Sequence, residues 1–177
     1  MQNIIPEIKL YGADGCNKTN CYKLVLDEIG LPHTFLDVGV NEEYAYALRG
    51  LYENRKLNFP TITIGKKKLR NPYKEEIIKW MNILIPSRLP ILNNKENRRF
   101  TLDINGEIAQ VDYRLKEGKI YLAHSEVPYN LRGQGIEKVL VEKTFEKLTK
   151  ENYLAVAVCS SVKAIKNRSN HWSTIIE

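Results

Sequence analysis

No apolar run in this 177-residue sequence approaches the roughly 20 residues that a membrane-spanning helix needs. The opening segment, Met1 to Pro6, has neither the basic stretch nor the long apolar core of a secretory leader, so a cytosolic protein is expected. Cysteine is scarce, with three in the chain. In a reducing compartment so few cysteines argue against a structural disulfide and for reactive or buried thiols. There is no repeat with a period of roughly 20–50 residues and no low-complexity stretch. Nucleic-acid motifs and sustained basic helices are also missing, so the net charge of +6 reads as a solvated basic surface. Such a surface suits small anions such as phosphates or glutathione. Nothing points to a metal site, a specific nucleic acid or a membrane. The composition, 43% hydrophobic and 27% charged, is that of an ordinary globular protein.

Two patterns succeed one another along the chain. Residues 1–84 alternate strand and helix signals in the order β-α-β-α-β-β-α. The strands are expected at Glu7 to Tyr11, His33 to Val38, Pro60 to Ile64 and Lys66 to Arg70. Helices are expected over 17–29, closed by Gly30, over 41–56, and from Asn71-Pro72 to about Leu84. Residues 85–97 lack periodicity and hold two prolines and three asparagines, so they read as a linker. From 98 to 177 the pattern is of hairpins. Phe100 to Ile104 and Ile108 to Leu115 flank Asn105-Gly106, a strong hairpin turn signal. A third strand, Ile120 to Val127, leads through a glycine-containing loop to a helix over about 135–150. Leu154 to Val158 is apolar enough for a strand buried on both faces.

Cys16 falls between a strand and a helix start, where unpaired N–H groups and the helix dipole favour a thiolate. Asp14 opposes this with a nearby negative charge. Cys21 shares an apolar stripe with Leu24, Val25 and Ile29 and reads as a buried core thiol. Tyr11-Gly12-Ala13-Asp14-Gly15-Cys16, Phe59-Pro60-Thr61-Ile62 and Leu69-Arg70-Asn71-Pro72 resemble a glutaredoxin over about residues 6–84. The resemblance implies a thioredoxin-like fold, with Pro60 a cis-proline facing the Cys16 thiol. It also implies a site for glutathione, or another low-molecular-weight thiol, that involves Asn17, Thr19, Phe59 and Pro60. Cys16-Asn17-Lys18-Thr19 lacks the second cysteine of the dithiol motif, as in monothiol members, which resolve mixed disulfides with glutathione. A spent site kept for binding is the alternative for Cys16.

Glycines between a strand and a helix let N–H groups cradle phosphate at the helix start. Leu131-Arg132-Gly133-Gln134-Gly135-Ile136 has that form. With His124-Ser125-Glu126-Val127-Pro128 before it and Val158-Cys159-Ser160 after it, the segment resembles the small GCN5-related acetyltransferases. That resemblance runs from about Arg99 to Trp172. It implies a compact acyl-CoA N-acyltransferase-like α+β fold with a splayed sheet. Coenzyme A would lie against Glu126, Val127 and Leu131, with its pyrophosphate on Arg132, Gly133, Gln134, Gly135 and Ile136. Cys159 would sit close to the acyl sulfur, where a thiol can take an acetyl group. The alternatives are an ordinary buried cysteine and direct attack by the acceptor amine. Two departures stand out: Glu137 occupies a position the family gives to a small residue, and Ser169-Asn170-His171-Trp172 replaces a His-Pro-Glu-Tyr segment.

The chain is therefore expected to be a two-domain α/β protein. It would join a glutathione-linked oxidoreductase module to an acetyl-CoA-dependent N-acetyltransferase module acting on an amine, of a small molecule or a protein. A non-catalytic redox or CoA sensor, or a chain with one active module, is the alternative.

Overall fold

The computed structural model describes residues 5–177. They divide into two compact units, ending at Leu84 and beginning at Ile85. Together the units hold two sheets and six helices among the described residues.

The first unit has the element order β1 (Ile8–Gly12), α1 (Asn17–Ile29), β2 (Thr34–Asp37), α2 (Glu42–Gly50), β3 (Thr61–Ile64), β4 (Lys67–Arg70) and α3 (Lys74–Leu84). Its sheet runs β2-β1-β3-β4, with β1 and β2 parallel and the other pairs antiparallel. Ile8, Leu10, Ile62 and Ile64 on the central strands are buried. Gly30 ends α1 in the left-handed region at φ 71°, as a helix-closing glycine does. Asn41 caps α2, its side chain accepting from the Glu43 and Tyr44 N–H groups.

Three expectations for this unit are corrected. Helix α2 stops at Gly50 rather than running to 56. Beyond it the chain turns, and Arg55 takes a positive φ of 51° that no helix continues. Helix α3 starts at Lys74, because Asn71 takes φ 45° and gives its N–H to the Pro60 carbonyl. Cys21 is exposed and Leu24 is 69% exposed, so their stripe is not the core face. Helix α1 buries Thr19 and Leu26 instead.

The second unit begins with a turn of 3-10 helix at Pro86–Arg88 and strand β5 (Leu92–Asn94), then β6 (Arg99–Ile104), β7 (Glu107–Lys116) and β8 (Lys119–Glu126). Helix α4 (Ile136–Lys150), β9 (Leu154–Ala157), α5 (Ser160–Asn167) and α6 (Asn170–Ile175) follow. The sheet order is β5-β6-β7-β8-β9. The residues expected as a linker thus carry a strand: Leu92, Asn93 and Asn94 pair with Thr101, Phe100 and Arg99. Ile85 and Pro86 are buried. A three-residue edge strand has too few side chains to show a period of two. Helix α4 lays Ile136, Leu140, Val141, Thr144, Phe145 and Leu148 onto β6, β7 and β9.

Strand β9 is not buried on both faces. Ala155 and Ala157 are buried while Leu154 and Val158 are exposed. It is an edge strand, and Glu177 covers part of that edge: Ala157 N–H donates to the Glu177 carbonyl and Glu177 N–H to the Ala155 carbonyl. Lys119 holds the Glu177 carboxylate at 2.6 Å.

Candidate functional sites

In the first unit the site forms where β1 hands over to α1. Cys16 is the N-cap residue, with extended backbone at φ −94° and ψ 118°. Its N–H donates to the Ala13 carbonyl at 3.0 Å, closing a turn over Asp14 and Gly15. Asp37 on β2 braces that turn by accepting from the Asp14 N–H at 3.2 Å. The thiol is half-buried. The Thr19 N–H, and then the Thr19 hydroxyl, hold it below its ordinary range; burial opposes them, and the Lys18 N–H and charge add to the lowering. Asp14, expected to oppose the thiolate, is paired with Lys23 at 2.7 Å.

Thr19 stands where a dithiol protein has its second cysteine, and it is fully buried. Its hydroxyl accepts from the Ala13 N–H at 3.3 Å. A side chain with no exposed surface offers nothing to a bound tripeptide, so Thr19 serves the Cys16 loop rather than glutathione directly. Gly12 makes room for it. A Cβ on Gly12 would lie 2.4 Å from Thr19 Cγ2 and 2.5 Å from its Oγ1. Of the other residues expected here, Asn17 is exposed, and the Phe59-Pro60 bond is cis. Pro60 is buried. Phe59 packs against the cluster of Tyr11, Leu36, Val38, Ala45 and Leu48.

In the second unit the site forms where two parallel strands part. Strands β8 and β9 pair only from Lys119↔Leu154 to Leu122↔Ala157. There the Val158 and Cys159 N–H groups both donate to the Leu122 carbonyl, at 3.0 and 3.1 Å. Strand β8 then runs on to Glu126 with β7 alone, past a register shift between Asp112 and Tyr113. Such an irregularity re-aims a strand. It leaves one edge of 123–126 without a strand partner.

A cavity of about 700 Å³ opens along that stretch. Its walls include Glu126, Val127, Leu131, Arg132, Gly133, Gly135 and Ile136, seven of the eight residues expected to hold coenzyme A. Gln134 is the eighth. It gives its side-chain N–H to the Asn130 carbonyl at 2.9 Å and is not on the wall. Gly133 and Gly135 take φ 75° and 77°, and Gly135 caps α4. A Cβ on either would meet nothing within 4 Å, so the space before the loop is open. Lys138 and Arg168 add two cations that the sequence reading did not single out. Loop glycines, a helix start and cations together fit a pyrophosphate.

Cys159 is the N-cap residue of α5, at φ −61° and ψ 138°. It is half-buried and joins the cavity through Ser125, whose Oγ lies 3.8 Å from Cys159 Sγ. Ser161 Oγ lies 3.4 Å from the same sulfur and 3.2 Å from Ser125 Oγ. Burial pushes the thiol up. The Ser161 hydroxyl and the first-turn N–H groups of Val162 and Ser161 are the larger opposing influences, so the thiol is lowered to about 7. Ser125 donates its one hydroxyl proton to Glu137 Oε1 at 2.6 Å. The Glu137 carboxylate, which raised a question of repulsion, is therefore engaged on the β8 side. The departing segment has a structural part as well: Ser169 caps α6 by accepting from the Trp172 N–H, and Trp172 is buried against Phe145, ring centres 5.4 Å apart.

Residues 99–175 match the family of GCN5-related N-acetyl-transferases. The match takes in β6 through α6, so it covers the glycine loop, the parted strands and Cys159 alike. The second unit is thus an acetyltransferase-like domain. A glutaredoxin from Archaeoglobus fulgidus aligns with 41% of this chain and 82% of its own, at 16% identity and a TM-score of 0.36. A likeness of that degree carries neither fold nor function. No curated protein matches the chain. No described helix is long and apolar enough to cross a membrane, and no group of metal-binding side chains occurs among the described residues.

Proposed function

We propose that the acetyltransferase-like unit binds acetyl-CoA in the cavity along β8 and passes the acetyl group to an amine through Cys159. The observation that carries this reading is the joining of that cavity, through Ser125, to a thiol lowered to about 7. A thiol at that value is about half ionised at neutral pH, which gives it nucleophilic strength without an added base. The Cys159 sulfur attacks the acetyl carbonyl and the coenzyme sulfur leaves with the bond electrons. An amine then displaces the Cys159 thiolate, giving the amide and losing a proton. Intact mass spectrometry after brief exposure to acetyl-CoA tests this. One added acetyl group, lost in Cys159→Ser and discharged by amines, supports it. No acetyl adduct together with full turnover means direct attack by the amine.

The first unit supplies a separate activity in this reading. Cys16 attacks the mixed disulfide of a glutathionylated substrate, takes the glutathionyl group and releases the substrate thiol. A second glutathione, or another small thiol, then frees Cys16 and leaves as the disulfide. The support is a half-buried helix-capping thiol held low by Thr19, with no second cysteine at that position. Oxidised glutathione should add one glutathionyl group at Cys16, and Cys16→Ser should lose deglutathionylation activity. Equal activity in that variant rejects the assignment. With both units active, the chain acts as a cytosolic bifunctional enzyme in this reading.

A further inference from the structure

Helix α5 runs beside the cavity with a thiol at its start and a cation past its end. Cys159 caps the start, and its Sγ lies 3.8 Å from Ser125, a residue of the cavity wall. Ile165, on the last turn, and Arg168, just past it, stand on the same wall. From Cys159 to Arg168 a helix rises roughly 13 Å. A pantetheine arm, from its sulfur to its first phosphate, has the reach of about four extended residues, roughly 15 Å. The two lengths match. Glutathione is shorter, its carboxylates lying within roughly 10 Å of its sulfur, and it has no phosphate. Gly133, Gly135 and Lys138 add phosphate partners to the wall. The two wall carboxylates are engaged by neighbours, Glu137 by Ser125 and Glu126 by Gln110.

We infer that Cys159 is a modification site for coenzyme A, which it takes as a mixed disulfide while the glycine loop, Lys138 and Arg168 hold the phosphates. The inference rests on the coenzyme lying in this cavity, as in the acyl-transfer reading, but it needs no acetyl group. The oxidant is the disulfide of coenzyme A. The Cys159 thiolate attacks one of its two sulfurs. A Cys159–coenzyme S–S bond forms and the old S–S bond breaks. The second coenzyme leaves as a thiolate and takes a proton from water. Cys159 is oxidised and the departing coenzyme is reduced. The attacked half fills the cavity, and the departing half leaves by the side on which an acceptor amine must enter. Phosphate contacts hold the attacked sulfur near Cys159 at an effective concentration on the order of millimolar. The product shuts acetyl-CoA out and uses up the nucleophile, and a small thiol reverses it by the same exchange.

The test compares two disulfides with the same arm. Pantethine, the disulfide of pantetheine, has the sulfurs and no phosphates. The full chain is exposed to coenzyme A disulfide or to pantethine at equal concentration, and the Cys159 adduct is followed by peptide mass. Coenzyme A disulfide should react at least about tenfold faster. Arg168→Glu, at an exposed position, should slow coenzyme A disulfide about tenfold and leave pantethine unchanged. Acetyl transfer should disappear as the adduct forms and return with dithiothreitol. Equal rates for the two disulfides overturn the inference. So does an Arg168→Glu variant that slows both alike, since the charge then acts on the thiol and not on the phosphates. Coenzyme A binding by calorimetry with no Cys159 adduct overturns the inference and leaves the coenzyme site standing. The phosphate-dependent adduct without any acetyl-enzyme keeps the inference and rejects transfer through Cys159.

Discussion

Cys16 and Cys159 occupy the same local position twice. Each follows a strand, each caps a helix with extended backbone, and neither sulfur closes a capping hydrogen bond. Both are nevertheless lowered, because donors of a helix's first turn face them. The difference lies in what surrounds the cap. Cys16 draws on Thr19 and Lys18 of its own helix. Cys159 adds the Ser161 hydroxyl of α5, and it overcomes a burial penalty to reach about 7. A shared cap makes a thiol acidic, and the neighbouring strand decides what it serves. An open cap suits a bulky mixed disulfide, while a cap walled by Ser125 and Ser161 beside a cavity suits a small acyl group.

The largest effects should separate the two thiols. Cys159→Ser should lower acetyl transfer by about a thousandfold or more, as loss of a covalent nucleophile does. It should leave glutathionylation of Cys16 intact. Cys16→Ser should do the reverse. If either variant damages both activities by similar factors, the two caps do not act independently. Next in size is Gly135→Asp. It puts a side chain at a residue with φ 77° and a negative charge at the start of α4. Coenzyme A affinity by calorimetry should fall at least about tenfold, roughly 1.4 kcal/mol. Unchanged affinity removes the loop from the site.

The two units differ also in how much their sequences disclosed. Elements with several residues on one face were legible: the β6–β7 hairpin around Asn105-Gly106, and α4 with its buried stripe. Short elements were not. Strand β5 has three residues, and α6 depends on the Ser169 cap more than on any period. The apolar stripe through Cys21 misled because α1 buries Thr19, a polar residue whose partners lie outside the helix in sequence. Of the cavity wall, the glycine loop was legible because its residue types have one physical use. Ser125, Ser161, Lys138 and Arg168 were not, since a serine or a surface cation acquires meaning only when the fold brings it to a cavity. Glu137 was noticed as a misfit, and its contact with Ser125 gives that misfit a physical place.

A smaller effect tests how the open cap is built. In Gly12→Ala the new methyl would lie well inside contact distance of Thr19. Overpacking of this kind costs about 1–3 kcal/mol, to be read by denaturant unfolding. Thr19 must shift, so the Cys16 alkylation midpoint should move up as well. A stability loss with an unmoved midpoint would mean that Thr19 is only packing.

The smallest expected effect compares the two caps donor by donor. Ser161→Ala removes the hydroxyl 3.4 Å from Cys159 Sγ and leaves the N–H groups of the turn in place. Thr19→Val removes the corresponding hydroxyl from Cys16 and leaves the Thr19 N–H position, which is the larger influence there. For Cys159 the Ser161 hydroxyl is instead the largest of the lowering influences. Both substitutions should raise the thiol, since each removes a donor to the thiolate, and the Cys159 shift should be the larger. The sign in terms of reactivity follows directly. At neutral pH a rise from about 7 takes Cys159 from about half ionised to a minority thiolate, so alkylation there slows several-fold. At alkaline pH both forms are fully ionised and the rates converge. Alkylation–pH profiles of the two single variants in one full-length chain make the measurement. A larger shift at Cys16 than at Cys159 would mean that the hydroxyl shell, which distinguishes the closed cap from the open one, contributes less than the helix start they share.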